Sequence, residues 1–211
     1  MASNAASDCN MRGEQMNERF YLLGIQLVEI EPVIRRRFVV PANITLDRLH
    51  DVIQIVMGWT DSHLHEFTIG KKRYTEYPEY HDDGLECGRY RLGDLIKQKG
   101  RKFYYLYDFG HYWMHELVIE DSCYLPPVHD SKLSCIEGER ACPPEDVGGV
   151  HSFFDFCDAL KNTAHEEHES YTEWSGGNYD CERFDANALN WELLKYLRCS
   201  RDRHLSWGGV E

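Results

Sequence analysis

A chain of 211 residues with 42% hydrophobic and 13% aromatic side chains is long enough to bury an aromatic core as a single domain, with no disulfide or metal needed to hold it. Its 36 acidic residues against 23 basic ones give a formal charge of −13. That field repels phosphate backbones, so nucleic acid is not an expected partner unless basic groups are concentrated in one patch. No apolar run approaches the length of a membrane span, so no membrane partner is expected either.

Residues 1–18 are polar and aperiodic and read as a disordered leader. They contain no apolar h-region of a secretory signal. A cytoplasmic location follows, in which the eight cysteines stay reduced and mostly serve as small buried hydrophobes. From Phe20 onward, "YLLGIQLVEI" and "VIRRRFVV" read as two strands joined tightly at Pro32. Strand alternation places Arg35 and Arg37 on one face and Arg36 on the other, which halves the one dense basic run near the core. In "ITLDRLHDVIQIVMGW", Leu46, Leu49, Ile53, Val56 and Met57 recur at helical spacing, with Thr45 as N-cap and Gly58 as stop.

"LHEFTIGKKRYT" reads as a strand pair turning at Gly70, followed by the irregular acidic loop "EYPEYHDDGLECGRY" and a short helix, "RLGDLIKQKG", ending at Gly100. "KFYYLYDFG" and "YWMHELVIED" form an antiparallel hairpin around Gly110. Beyond "CIEGERACPPEDVGG", Phe153, Phe154, Cys157 and Leu160 mark a helix. A final helix carries Leu189, Leu193, Leu194 and Leu197 behind Asp185 as N-cap. Residues 200–211 read as a flexible tail. With no repeat and no linker, the expected architecture is one α+β domain over residues 19–199, a mixed or antiparallel sheet packed against several helices.

The stretch "YDFGHYWMHEL" (Tyr107 to Leu117) concentrates Asp108, His111, His115 and Glu116 on a short aromatic hairpin. His63 and His65 are two apart, and on a strand they point to the same face. With Asp108 and His115 they make a candidate shell for a divalent transition metal such as zinc, iron or manganese. Glu66, Glu145 and Asp146 are then the candidates for a catalytic base, and Trp59, His111 and Trp113 for a ligand rim. The structural alternative is that Asp108 binds turn amides and His115 is a hydrogen-bonded core histidine. Gly148 and Gly149 could present amides to an anion, but Glu145 and Asp146 already supply negative charge there, which favours a turn and cap. Those two carboxylates could instead face the His63/Asp108/His115 cluster.

Four stretches in order, "EPVIRRRFVVP" (Glu31 to Pro41), "MGWTDSHLHEF" (Met57 to Phe67), "YDFGHYWMHEL" and "GERACPPEDVGG" (Gly138 to Gly149), resemble the plasmid pRiA4b ORF-3-like family. Some of its members carry insertion-sequence passenger or resolvase-type names. The resemblance covers about Phe20 to Leu197 and implies an α+β domain, but it brings no established activity. The chain departs from the family pattern at Arg35, where Trp is usual, and at His111, where Asp is usual, which argues against one fixed chemical role for position 111. A resolvase needs a nucleophilic Ser among arginines and a basic helix-turn-helix. Ser62, Ser122 and Ser152 lack arginine company, and the stretch of the last helix, "FDANALNWELLKYL", carries Asp185 and Glu192 against Lys195 and reads as acidic rather than basic. The functional expectation is a binding or accessory protein linked to mobile elements, taking a protein or small ligand at a rim near Trp59, His63, Asp108 and His115. A metal-dependent hydrolase is the alternative, and a DNA-associated recombination factor using Arg35, Arg36 and Arg37 is a third.

Overall fold

Alternating apolar residues on long strands, rather than helical packing alone, organise the core. The computed structural model describes residues 19–78, 84–127 and 131–199. The expected leader at 1–18, the centre of the acidic loop at 79–83 and the tail at 200–211 lie outside these residues. The first elements are β1 (Phe20–Leu27), β2 (Arg35–Pro41), α1 (Leu46–Met57), β3 (His65–Ile69) and β4 (Lys72–Thr75). They are followed by β5 (Leu85–Glu86), α2 (Leu92–Leu95), β6 (Lys102–Tyr107), β7 (Trp113–Tyr124) and β8 (Ser134–Glu139). Three helices close the described chain: α3 (Gly149–Lys161), α4 (His168–Trp174) and α5 (Ala186–Cys199).

The described residues form one mixed eight-stranded sheet in the order β5-β4-β3-β6-β7-β1-β2-β8. Every pairing is antiparallel except the parallel β4·β5 edge, so the α+β expectation holds. The registers Phe67↔Tyr105, Tyr105↔His115 and Leu27↔His115 line these side chains along one face, and all four are buried. The opposite face carries Glu66, Tyr104 and Glu116, in the half-wet arrangement open to antiparallel sheets.

Helix α1 covers the buried face. Its Leu46, Leu49, Val52, Ile53 and Val56 are fully buried, and each such aliphatic side chain contributes roughly 1.5–3 kcal/mol as an upper figure. Gly58 ends the helix in the left-handed region at φ 93 with its amide on Gln54 O, as expected. Thr45 occupies the N-cap position, but its buried hydroxyl has no hydrogen-bond partner. The Leu46 amide instead donates to Tyr90 O, so the α2 region supplies part of what a side-chain cap would.

Two further expectations are corrected. The helix expected over residues 91–100 is a single turn, because Ile96 leaves it in an extended conformation to be buried and to accept the Tyr21 hydroxyl at 2.8 Å on its carbonyl. Cys157 and Cys181, expected as reduced thiols, form a disulfide between α3 and the loop before α5. They are 24 residues apart, and only the packing of that loop on α3 brings them together. Cys87, Cys135 and Cys142 are buried free thiols, as expected of small hydrophobes.

The basic run is built into the scaffold. Arg36 points inward, where Nε donates to Val56 O at 3.0 Å and Nη1 donates to Arg35 O and Glu139 O at 2.7 Å each. Its guanidinium thus closes the last turn of α1, where a cation is favoured, beneath the Phe184 ring. Gly138 leaves room for this stack, since a Cβ there would run into the Phe184 ring and the Arg36 side chain. Arg35 and Arg37, on the outer face, are paired with Glu137, Glu139 and Glu120. The expected alternation is present, and no free arginine patch results.

Candidate functional site

Three connections meet at one end of the central strands β3, β6 and β7: residues 59–64 after α1, the 108–112 turn between β6 and β7, and the 142–149 segment before α3. Backbone and buried hydrogen bonds lock them together. Trp59 Nε1 donates to Pro143 O at 2.8 Å, and Asp108 N donates to Leu64 O at 3.0 Å. Glu145 Oε1 accepts the Thr60 amide and the Tyr107 hydroxyl at 2.9 Å each, and Tyr107 in turn accepts the Ser62 amide at 2.9 Å. Burial and the bond to Glu145 push the Tyr107 pKa up, so it stays a protonated donor. Gly149, at φ 88, lets the third segment close on the second, because a Cβ would meet His111 O at 3.2 Å.

Asp108 anchors the central turn. It sits at φ 57, in the left-handed region that Asp tolerates better than most residues. Its Oδ1 accepts the Gly110 and His111 amides at 2.9 and 3.2 Å, and its Oδ2 accepts His111 Nδ1 at 2.6 Å. Burial alone would raise its pKa, but the hydrogen bonds from His111 and Gly110, with His63 nearby, outweigh that and bring it below the ordinary carboxylate value. Asp108 is therefore ionised and orients His111.

His63 stands opposite. Its Nε2 is 3.1 Å from Asp146 Oδ1, and 3.7 Å from both Asp108 Oδ2 and Glu145 Oε2. The structure thus brings together His63, Asp108, His111, Glu145 and Asp146 from three separated stretches. Asp108 and Glu145 each also hold a turn in place through their other oxygen.

The expected metal quartet of His63, His65, Asp108 and His115 is not assembled. Strand β3 begins at His65, so alternation does not govern His63, which stays at the rim while His65 turns into the core. There His65 stacks on His50, and His115 contacts Tyr105 O through Nδ1 at 3.1 Å beside the Trp59 ring. Burial pushes the His65 pKa down to about 3 and that of His115 to about 4, so both are neutral. Among the described residues, no group of three or more His, Cys, Asp or Glu side chains is placed to hold a metal ion.

Trp59 and Trp113, expected at a ligand rim, are buried instead, since both rings complete the aromatic layer over Tyr107 and His115. Glu66 and Glu116 lie on the outer sheet face, bonded to Arg73 and Lys102, and take no part in the cluster. Reading the sequence also missed Thr60, Ser62 and the Tyr107 hydroxyl as parts of the rim. Tyr107 carried a signal of sorts, as the last inward-facing aromatic before a polar turn. Beneath the rim, His50 Nε2 donates to Asp61 Oδ1 and Tyr105 OH donates to His50 Nδ1, both at 2.8 Å, while Gln54 Nε2 donates to the Tyr105 oxygen at 3.0 Å. This chain links the rim to the core.

The sequence of residues 19–188 matches the family model described as "Plasmid pRiA4b ORF-3-like protein". The chain belongs to that family. A relative from Sinorhizobium fredii (strain NBRC 101917 / NGR234), "Uncharacterized protein y4hQ", is 40% identical over 174 residues, covering 82% of this chain and 87% of the relative. The fold is similar to that in "Crystal Structure of Protein of Unknown Function MM3350 from Methanosarcina mazei Go1", with a TM-score of 0.72 and 32% identity over 81% of this chain and 97% of that one. The pRiA4b ORF-3-like fold is thereby secured, while the relatives' printed names assign no activity, so the chemistry has to be argued from the site.

Proposed function

We propose that this pRiA4b ORF-3-like protein is a binding protein whose rim takes up a cationic group, an ammonium or guanidinium. The observation that carries the reading is the convergence of three carboxylate oxygens, from Asp108, Glu145 and Asp146, on the single Nε2 of His63. One ring nitrogen donates one hydrogen bond, so acceptor capacity is left over. Elsewhere carboxylates meet arginines, as at Arg35, Arg37 and Arg140. Among the described residues, none of the three rim carboxylates is paired with Lys or Arg. A ligand with several N–H donors matches this arrangement through charge-assisted bonds.

The Asp108–His111 pair supports a second reading, since a carboxylate that orients a half-exposed imidazole is the geometry of a general base. Hydrolysis would then proceed at His111 rather than at the histidines first considered. The third reading, a DNA-associated factor, loses its residues to the scaffold contacts of Arg35, Arg36 and Arg37. The plasmid-derived family description supports a mobile-element origin, which we include in the proposal. Free thiols at Cys87, Cys135 and Cys142 support a cytoplasmic location, and the Cys157–Cys181 disulfide weighs against it.

Calorimetry with N-acetyl-arginine amide, and with its neutral citrulline counterpart as control, tests the cation reading. The cation should bind saturably and more weakly at high salt, and Asp146→Asn should lower its affinity about tenfold, the effect of losing about 1.4 kcal/mol. Equal binding of the neutral analogue overturns the reading. So does about one equivalent of transition metal per chain in untagged protein, which would return the site to metal chemistry.

A further inference from the structure

We infer that the same rim is a docking surface for a partner protein's basic segment, an arginine flanked by apolar side chains. This rests on the cation reading above and adds the apolar collar that a lone cation would not need. Leu64, Phe109 and Tyr112 are 56%, 48% and 58% exposed, and they belong to two of the three segments that form the carboxylate cluster. Their backbones are joined directly, because Asp108 N donates to Leu64 O and Tyr112 N donates to Asp108 O. Three large apolar side chains thus flank the anionic rim from adjoining stretches of chain, an association that marks interaction surfaces more than isolated exposed residues do.

Tyr112 sharpens the case. Its φ of 60 puts it in the left-handed region, which an aromatic residue enters at a conformational cost that Asn, Asp or Gly largely avoids. The ring gains little packing within the chain in return, since it stands in solvent. A side chain held outward at such a cost is suited to contact with something else. Beside a site that attracts guanidinium, Phe109 and Tyr112 offer ring faces on which an arginine can stack and apolar edges for its neighbours. Aromatic and arginine anchors of this kind dominate interface energetics.

Charge selects among occupants. The carboxylates repel phosphate, which disfavours nucleic acid and anionic lipid headgroups. A second copy of this chain offers no unpaired arginine in either of its basic triplets, because Arg36 is buried, Arg35 and Arg37 are already paired with glutamates, and in the Lys71, Lys72, Arg73 run the arginine is held by Glu66. The partner is therefore a different protein, one that presents an accessible Arg between apolar residues.

The test compares three probes on the full chain by calorimetry: N-acetyl-arginine amide, acetyl-Phe-Arg-Phe-amide and acetyl-Phe-Gln-Phe-amide. The arginine tripeptide should bind at least tenfold tighter than acetyl-arginine amide, and the glutamine tripeptide should bind far more weakly than either. In Phe109→Ser and in Tyr112→Asn, whose new residue tolerates the left-handed backbone, the affinity ratio of the two arginine probes should fall to near one. Near-ultraviolet circular dichroism checks that each variant keeps its packing. A wild-type ratio near one overturns the docking surface and leaves the cation reading standing. A glutamine tripeptide that binds as well as the arginine one also overturns it. Binding of none of the three removes the cation reading and the docking surface together.

Discussion

His65 lies face to face on His50, with ring centroids 3.5 Å apart and planes within 8°. Two imidazoles this close in the core cannot both carry charge, and neither ring nitrogen of His65 has a hydrogen-bond partner. Burial, with His50 adjacent, holds the His65 pKa near 3, and burial holds that of His115 near 4. Both folded values lie below the unfolded value of about 6.5. The unfolded chain therefore binds more protons as pH falls below about 6.5, and stability drops through that window toward pH 4. Each histidine adds a slope of about 1.4 kcal/mol per pH unit there. Urea midpoints at pH 7.5, 6 and 5 should decline steeply, and less steeply in His65→Phe. Identical slopes in wild type and variant would remove His65 from this account.

Asp108 combines a turn anchor with a charge, and the two roles separate by substitution. Asp108→Asn keeps a side-chain oxygen for the Gly110 and His111 amides and tolerates the left-handed backbone. It should fold with a loss of no more than about 1 kcal/mol while weakening N-acetyl-arginine amide binding. Asp108→Leu loses both the acceptor and the tolerated conformation, and should cost about 2–4 kcal/mol. Equal stability of the two variants in urea would show that the turn does not depend on the carboxylate oxygen.

Arg36 offers a contrast with any nucleic-acid role. Removing its guanidinium strands the carbonyls of Arg35, Val56 and Glu139, so Arg36→Ala should destabilise the fold by about 3 kcal/mol. Wild type should show no salt-sensitive retention on a DNA column at low salt. Retention that disappears in a folded Arg36→Ala/Arg37→Ala variant would restore the DNA reading.

The Cys157–Cys181 bridge ties α3 to the loop that supports the rim from behind. In that loop Cys181 O accepts the Ala141 amide, and the neighbouring Tyr179 hydroxyl donates to Cys142 O. Replacing both cysteines by serine should cost about 2–4 kcal/mol through the freed unfolded chain. It should also weaken cation binding by loosening the 142–149 segment. A variant as stable as wild type, with and without a dithiol reductant, would show that the bridge contributes nothing in solution.

Local pattern alone was enough for the central strands and for α1. Two-residue and 3.6-residue periodicities record which side of an element is buried, and they do so before any partner is known. Thus Arg35 and Arg37 could be assigned to one face and Arg36 to the other, and Asp185 does cap α5, its Oδ1 accepting the Asn187 and Ala188 amides. Strand β8 was not legible, because Gly138 interrupts it for the sake of Phe184 and Arg36. Helix α4 was missed because it buries no residue of its own, although Tyr171 and Trp174 rest on Phe156. The motifs of the candidate site were visible as motifs, but not as a site. His63 and Asp146 are 83 residues apart, and the two-residue spacing of His63 and His65 implied a shared face that the start of β3 denies. Which polar groups meet depends on how three connections fold over the ends of the central strands, and that is set by long-range packing, which leaves no periodic trace in any one of them.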